Sequence, residues 1–265
     1  MSKQIQIVAT IGPATKEKEI LKKIMEAGMS LARLNFSHGT HEEHGILINN
    51  IREASKELNL QIPIIQDLSG PRMTNDDGHE FDKSSLEVIT KKDLEDLAFG
   101  IQQEVDYVAL SYVGKALDVL RLQKEMDKLG KRIPVIAKIE RRTAIENLDE
   151  IIDVANAIMI ARGDMGNEIP FEQIPFVEKD ILNKCKVAGK PVIVATQVLL
   201  SMTENPVPTR AEMTDIAFAV LHGADALMLS EETTVGKYPV EVVTMMRRGI
   251  TEATSHMENI KINNL

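Results

Sequence analysis

The segment PVIAKIERRTAIENLDEIIDVANAIMIARGD, residues 134–164, contains the pattern that predicts the fold. An apolar run at 134–140 is followed by a helical pattern and by a second apolar run at 157–163. Neither run alternates between apolar and polar residues, which is typical of strands that are covered on both faces in a parallel sheet. The segment is therefore predicted to form a strand, a helix and a second, parallel strand.

The same unit recurs along the chain. The apolar runs are IQIVAT (5–10), SLARLNF (30–36), IPIIQDL (62–68), YVALSYV (107–113), PVIAKIE (134–140), AIMIARG (157–163), PVIVATQ (191–197) and ALMLSEE (226–232). About eight units in 265 residues predict an α/β fold, a closed (β/α)8 TIM barrel, with a doubly wound sheet as the alternative. The glycines expected to end helices are Gly28, Gly130, Gly189 and Gly223.

The domain organisation is predicted to be simple. One barrel is expected over residues 1–258, followed by a polar tail at 259–265. The polar segment 73–90, MTNDDGHEFDKSSLEVIT, is predicted to be a long loop.

Charge, cysteine content and the absence of long apolar runs indicate which classes of protein to expect. The formal net charge of −9 argues against nonspecific binding to nucleic acid or to a membrane surface. The single cysteine, Cys185, cannot form an internal disulfide and is expected in the core. The N-terminal sequence lacks a signal-peptide core and no apolar run has the length of a bilayer span, so we expect a cytoplasmic protein.

Polar side chains gather where the predicted strands end, which is the edge at which barrel enzymes carry their chemistry. The opening segment has Lys138 and Glu140 at the end of one strand and Asp164 after the next. Charged groups are costly to bury, so they are either solvated at a rim or hold something between them. A set of salt bridges that only stabilises the barrel is the structural alternative.

The carboxylates of Glu140 and Asp164 are expected on adjacent strands, an arrangement that suits Mg²⁺ or Mn²⁺. Lys138 lies two residues before Glu140 and should point to the same face of its strand. A lysine beside such a metal site can stabilise a developing enolate or phosphoryl charge, and Arg33 would add a second cation.

Longer motifs carry a resemblance to a known family. They are TIGPAT (10–15), ARLNFSHG (32–39), QDLSGPR (66–72), AKIE (137–140), ARGDMGNEIP (161–170), ATQ (195–197), NPVPTRAE (205–212), DALMLSEET (225–233) and GKYPVE (236–241). In this order, over residues 3 to 255, they resemble the catalytic barrel of pyruvate kinase. The resemblance implies a (β/α)8 barrel and phosphoryl transfer from phosphoenolpyruvate to ADP, giving pyruvate and ATP.

The resemblance also implies roles for individual residues. Lys138 would be the catalytic lysine, and Glu140 and Asp164 the divalent-metal ligands. Arg33 would contact the phosphate, and Thr196 would bind the substrate carboxylate with the backbone N–H groups of Gly163 and Asp164.

A monovalent cation, usually K⁺, binds family positions that match Asn35, Ser37 and Asp67. His38 would lie toward the nucleotide. NPVPTRAE lies beside a subunit contact in the family, so the resemblance also implies a homo-oligomer.

The chain departs from the family pattern in several places. Residues 73–90 stand where the family has a lid domain, and the family continues into a C-terminal domain. Leu68 removes one K⁺-ligand side chain, and the fixed charge of Arg72 could substitute for K⁺. Thr74 replaces an arginine on the nucleotide side, and Glu231 replaces a glycine near the cleft. These changes predict weakened phosphoryl transfer.

Three functions stay open at this point. One is a minimal pyruvate kinase. Another is a different metal-enolate enzyme, such as an oxaloacetate decarboxylase or a pyruvate aldolase, which could use Lys138, Glu140, Asp164 and Thr196 without a lid. The last is a barrel that binds a ligand without turning it over.

Two local patterns complete the prediction. The spacing of His38, His41 and His44 does not place the outer pair on one helix face, which favours a solvated helix start over a metal cluster. Thr209 and Glu212 are predicted to form a capping box.

Overall fold

A computed structural model describes residues 4–75, 78–82, 84–85 and 87–263, with side chains for these residues except 74, 75, 78–80 and 258–263. In chain order the strands are β1 (Gln6–Thr10), β2 (Leu31–Asn35), β3 (Ile64–Asp67), β4 (Arg72–Asn75), β5 (Gly78–Phe81), β6 (Tyr107–Leu110), β7 (Val135–Ile139), β8 (Ala157–Ala161), β9 (Val192–Ala195) and β10 (Ala226–Leu229).

The α-helices follow the same order. They are α1 (Lys18–Glu26), α2 (His41–Glu57), α3 (Lys91–Gln102), α4 (Ala116–Lys128), α5 (Arg142–Glu146), α6 (Leu148–Val154), α7 (Arg162–Met165), α8 (Ile174–Ala188), α9 (Arg210–His222), α10 (Glu231–Thr234) and α11 (Pro239–Asn263). Two 3₁₀ helices span Phe171–Gln173 and Leu200–Thr203.

Eight strands close into a barrel in the order β1-β10-β9-β8-β7-β6-β3-β2. The strand pairs β1–β10, β10–β9, β3–β6, β6–β7 and β7–β8 are parallel, with Lys138 of β7 opposite Met159 of β8. Every residue of β7 and β8 is buried, as expected for strands with side chains in the barrel interior on one face and helices on the other. The predicted (β/α)8 barrel is therefore confirmed and the doubly wound alternative is wrong.

The described residues also fall into two compact units within this barrel. Unit 1 takes residues 1–32, 49–62 and 193–265, and unit 2 takes residues 33–48 and 63–192. Unit 2 contains β2 from Arg33 onward and β3 to β8.

The predicted helix ends are confirmed. Gly189 and Gly223 follow α8 and α9 with φ of 66° and 101°, a left-handed conformation that costs glycine little. Their N–H groups reach carbonyls of the last helical turn. Gly28 and Gly130 also have positive φ. The capping box of Thr209 and Glu212 is present, and Cys185 is buried.

Two boundary predictions are wrong. Within segment 73–90, expected as a loop, β4 and β5 form an antiparallel hairpin in which Arg72 pairs with Phe81. Residues 76, 77, 83 and 86 of that segment lie outside the described residues. The expected tail at 259–265 continues α11 as far as Asn263, and residues 264–265 are not described.

Within the described part of the chain, no helix is long and apolar enough to cross a membrane.

The histidine pattern differs from the predicted solvated helix start. His44 is buried and stacks on Phe36, with ring centroids 3.9 Å apart. Its Nε2 lies 2.8 Å from the backbone oxygen of His38. A carbonyl can only accept, so Nε2 carries the proton and Nδ1 is the site that would be protonated. Nδ1 is buried without a hydrogen-bond partner among the described residues.

The protonation of His44 should make stability depend on pH. Burial lowers the pKa of His44, against the opposing effect of the His38 carbonyl, while Asp96, Lys92 and His41 add smaller effects. A lowered pKa in the folded state means that this contribution is present above the unfolded value of about 6.5 and is lost as pH falls through it. We expect the urea midpoint to fall between about pH 7.5 and about pH 5.5 less in His44→Phe than in the wild type.

His256→Phe is the matched control because His256 is exposed on α11. Its midpoint should keep the wild-type pH dependence. A His44→Phe variant with that same dependence would show that His44 does not couple protonation to folding.

Candidate active site

A buried lysine is central to the ion pairs of unit 2. The Nζ atom of Lys138, on β7, lies 3.2 Å from Oδ1 of Asp67 and 2.9 Å from Oε1 of Glu140. Lys138 is 4% exposed and both carboxylates are 1% exposed, so the solvated-rim alternative is wrong for these groups. Burial acts to lower the pKa of Lys138, but the two carboxylates outweigh it and raise that pKa.

Asp67, at the end of β3, is held by two cations. Its Oδ2 lies 2.7 Å from Nε of Arg33 on β2, and its Oδ1 faces Lys138. Burial opposes ionisation of Asp67, yet Lys138 and Arg33 hold its pKa below the usual range. The three side chains therefore stay charged and fix one another.

Ser111 and Tyr112 follow β6 and connect this ion cluster to the backbone. Lys138 donates a hydrogen bond to Ser111 Oγ at 2.8 Å, and Ser111 donates to the carbonyl of Leu68 at 2.7 Å. The N–H of Tyr112 donates to Glu140 Oε2 at 2.6 Å. Tyr112 has a φ of 56°, which is a strained conformation for a residue with a side chain.

Glu140 and Asp164 bring two carboxylates together. Asp164 lies in the first turn of α7, which directly follows β8, the strand beside β7. Burial and the neighbouring Glu140 raise the pKa of Asp164 to about 7, against the opposing charges of Lys138 and Arg72. Oε1 of Glu140 is buried and faces Nζ of Lys138 at 2.9 Å.

This pair fits a divalent cation. Two carboxylates this close repel each other when both are ionised, and a bound divalent cation would neutralise them. In the described ranges there is no group of three or more His, Cys, Asp or Glu side chains that could hold a metal ion. Two protein carboxylates, with water and substrate as further ligands, are characteristic of Mg²⁺.

A small cavity of about 60 Å³ adjoins the carboxylate pair. Its lining residues are Phe81, Tyr112, Glu140, Arg141, Asp164, Asn167 and Glu168. Phe81 belongs to the β4–β5 hairpin, and its ring lies 5.4 Å from the ring of Tyr112. The hairpin thus contributes one wall of the cavity.

The residues predicted to bind a monovalent cation are only partly suited to it. The hydroxyl of Ser37 is buried without a hydrogen-bond partner in the described part of the chain. Asn35 Oδ1 already accepts the N–H of Ser37 at 3.2 Å, and both oxygens of Asp67 face cationic side chains. Arg72, whose Nε donates to the carbonyl of Ser69, also helps to lower the pKa of Asp67.

The other predicted residues have these positions. Gly163 lies in the first turn of α7 with Asp164. Thr196, in unit 1, follows β9 and has a φ of 68°, so the chain turns sharply at that strand end. His38 is exposed, and its carbonyl accepts from His44.

Four residues near the site were not predicted from the sequence. Ser111 and Tyr112 directly follow β6, so their position at a strand end could have indicated that they belong to the site. Arg141 directly follows Glu140 in the chain. No sequence pattern indicated Phe81 as a site residue, because the hairpin that positions it was predicted to be a loop.

Arg162, which follows β8 directly, belongs to a different ion pair. Its Nη1 lies 3.2 Å from Oε2 of Glu178 on α8, and both side chains are buried. Arg162 therefore connects the end of β8 to α8 and has a structural role.

Comparison with known proteins gives the family. A family model described as "Pyruvate kinase, barrel domain" matches residues 2–84 and 82–243. The chain belongs to the pyruvate kinase family. It is 37% identical over 339 aligned positions to pyruvate kinase of Thermococcus litoralis, and 38% identical over 334 positions to pyruvate kinase 1 of Trypanosoma brucei brucei. It is 37% identical over 331 positions to pyruvate kinase of Geobacillus stearothermophilus.

These alignments cover 98%, 94% and 94% of this chain, and 71%, 67% and 56% of the respective relatives. The aligned regions exceed the 265 residues of this chain, so the pyruvate kinases carry additional residues inside the matched region. The two matched segments of the family model meet at residues 82–84, directly after β5.

The Arg162–Glu178 pair gives a stability prediction. Arg162→Met leaves the buried carboxylate of Glu178 without this partner, and breaking such a pair typically costs about 3–5 kcal/mol. We expect urea unfolding to show a loss of that order. The double variant Arg162→Met/Glu178→Leu should recover much of it, because an apolar pair then replaces the two buried charged side chains. A double variant as unstable as the single one would contradict this role.

Proposed function

We propose that this pyruvate kinase family member transfers a phosphoryl group from phosphoenolpyruvate to ADP, giving pyruvate and ATP. The observation that supports it best is the buried Lys138, held between Asp67 and Glu140 beside the second carboxylate of Asp164. A salt-bridge network that only stabilised the barrel would gain nothing from a half-buried carboxylate, Asp164, beside the buried carboxylate of Glu140, since like charges repel.

In this proposal Lys138 acts on the transferring group. Its raised pKa keeps it an ammonium at neutral pH, and Asp67 and Ser111 fix its position. A fixed cation in a buried site stabilises the negative charge that develops on the phosphoryl group and the enolate. Arg33, oriented by Asp67, contacts the substrate phosphate.

Glu140 and Asp164 are the proposed ligands of Mg²⁺ or Mn²⁺. When bound, the ion would neutralise phosphate and enolate oxygens as a Lewis acid. Tyr112 fixes one oxygen of Glu140 through its N–H, and Lys138 lies 2.9 Å from the other, so the carboxylate is held in place for the cation.

The remaining roles are also proposals. The N–H groups of Gly163 and Asp164, in the first turn of α7, bind the substrate carboxylate together with Thr196. His38 lies toward the nucleotide. Asn35, Ser37 and Asp67 are the proposed K⁺ ligands, with the charge of Arg72 as a substitute for the ion.

We expect transfer to be slow. A lid excludes water and completes a site, whereas here the hairpin provides only a short wall. The expected partners are phosphoenolpyruvate, pyruvate, ADP and ATP. The homo-oligomer and the cytoplasmic location stay predictions.

A second candidate is a metal-dependent pyruvate-enolate enzyme, such as an oxaloacetate decarboxylase or a pyruvate aldolase. It is favoured by one observation: Lys138, Glu140 and Asp164 all lie within unit 2, together with the residues that fix them. Decay of oxaloacetate with Mg²⁺, without ATP formation from phosphoenolpyruvate and ADP, would identify this function. Saturable binding of oxalate without either reaction would indicate a barrel that only binds its ligand.

The direct test is formation of pyruvate and ATP from phosphoenolpyruvate and Mg²⁺, with and without ADP and K⁺. Lys138→Met should lower the rate of ATP formation by at least about 10²-fold, since removing one group that stabilises transition-state charge has effects of this size. Activity of Lys138→Met equal to that of the wild type would exclude the proposed role.

Lys131→Met is the matched control because Lys131 is exposed and lies outside the ion cluster. It should keep wild-type activity. Circular dichroism and urea unfolding of Lys138→Met separate loss of chemistry from loss of the fold.

Metal binding can be tested without turnover. Mn²⁺ should raise the melting temperature of the wild type, because a ligand that binds only the folded state stabilises it. Glu140→Gln and Asp164→Asn should each remove most of this rise, whereas Glu168→Gln, at the edge of the same cavity, should retain it. An equal rise in all four proteins would place the metal elsewhere.

A further inference from the structure

Arg141 is a half-buried cation held in a defined orientation. Its guanidinium carbon lies 3.7 Å from the centroid of the Phe81 ring, so the two groups form a cation–π contact. Its Nη1 donates to the carbonyl of Tyr112 at 3.2 Å. The same Tyr112 donates its N–H to Glu140, so one residue orients both the carboxylate and the guanidinium.

Arg141 differs from Arg33 and Arg162 in its surroundings. Arg33 and Arg162 each form a buried salt bridge, with Asp67 and Glu178 respectively. In the part of the chain that the structure describes, no carboxylate lies within salt-bridge distance of Arg141. A guanidinium has five N–H donors, and one of them is used here.

Arg141 faces the cavity that Glu140 and Asp164 also line. The cavity has a volume of about 60 Å³. Lys138 and Arg33, proposed to bind the phosphoryl donor, are not among the lining residues of this cavity. The cavity therefore offers a separate position for a second anion beside the proposed metal ligands.

We propose that Arg141 binds the terminal phosphate of the phosphoryl acceptor, a nucleoside diphosphate, through a charge-assisted hydrogen bond. This inference rests on the proposed function and adds the residue that recognises the second substrate. Phe81 and Tyr112 orient the guanidinium, whose planar donors suit phosphate oxygens.

Three carboxylates line the same cavity, those of Glu140, Asp164 and Glu168. Without a divalent cation they repel an incoming phosphate. Binding of the diphosphate by Arg141 therefore depends on Mg²⁺ occupying the Glu140–Asp164 pair.

The test is calorimetric titration of ADP and AMP into protein saturated with Mg²⁺ and oxalate, a mimic of the enolate. Arg141→Met should weaken ADP binding roughly tenfold or more, because a hydrogen bond to a charged group is lost. It should leave AMP binding within about twofold, since AMP lacks the terminal phosphate. Arg141→Lys should give an intermediate loss for ADP, as it keeps the charge without the planar fork.

Two controls separate recognition from structural damage. Arg248→Met removes an exposed arginine on α11 and should leave ADP binding unchanged. Binding of Mg²⁺ and oxalate to Arg141→Met should stay at the wild-type level, which shows that Glu140 and Asp164 keep their positions.

Several results would overturn the inference. They are the absence of ADP binding to the wild type, unchanged ADP binding by Arg141→Met, an equal loss for ADP and AMP, and a parallel loss of oxalate binding. The proposed function fails separately: if the wild type forms no ATP but binds ADP in an Arg141-dependent way, the inference holds and the kinase activity does not.

Discussion

The contact between Lys138 and its two carboxylates is the constraint on which the site depends. One ammonium lies between Asp67 on β3 and Glu140 at the end of β7, and Arg33 on β2 compensates the remaining charge of Asp67. Each of these groups would be costly to bury alone, so none can be removed without stranding another. The barrel supplies the strand ends, but this charge balance determines where the side chains point.

The backbone of Tyr112 is the second feature that positions the side chains of the site. Its left-handed conformation directs its N–H to Glu140 and its carbonyl to Arg141, while its ring packs against Phe81 and lies under Arg72. Strain of this kind persists only where the surrounding contacts determine the conformation. The contacts on both sides of Tyr112 explain why a residue with a large side chain is held in this conformation.

Much of the fold and part of the site could be predicted from the sequence. Continuous apolar runs and glycine helix ends are local patterns, so the barrel followed from them. The pairing of Lys138 with Glu140 followed from the two-residue period of a strand. The burial of His44 against Phe36 and the pairing of Arg162 with Glu178 depend on side-chain contacts that the apolar periodicity does not contain. The hairpin was missed because its short polar strands have no apolar face to indicate them.

The hairpin has a consequence for how the chain can vary. Arg72 and Phe81 are paired, so the chain enters and leaves the hairpin at neighbouring points. Such a position tolerates an insertion of almost any length, because the distance between its ends does not change. The family-model match is divided at residues 82–84, directly beyond the Arg72–Phe81 pair. A protein of this family can therefore keep the barrel and its buried charged residues while the hairpin segment beside the cavity changes in length and sequence.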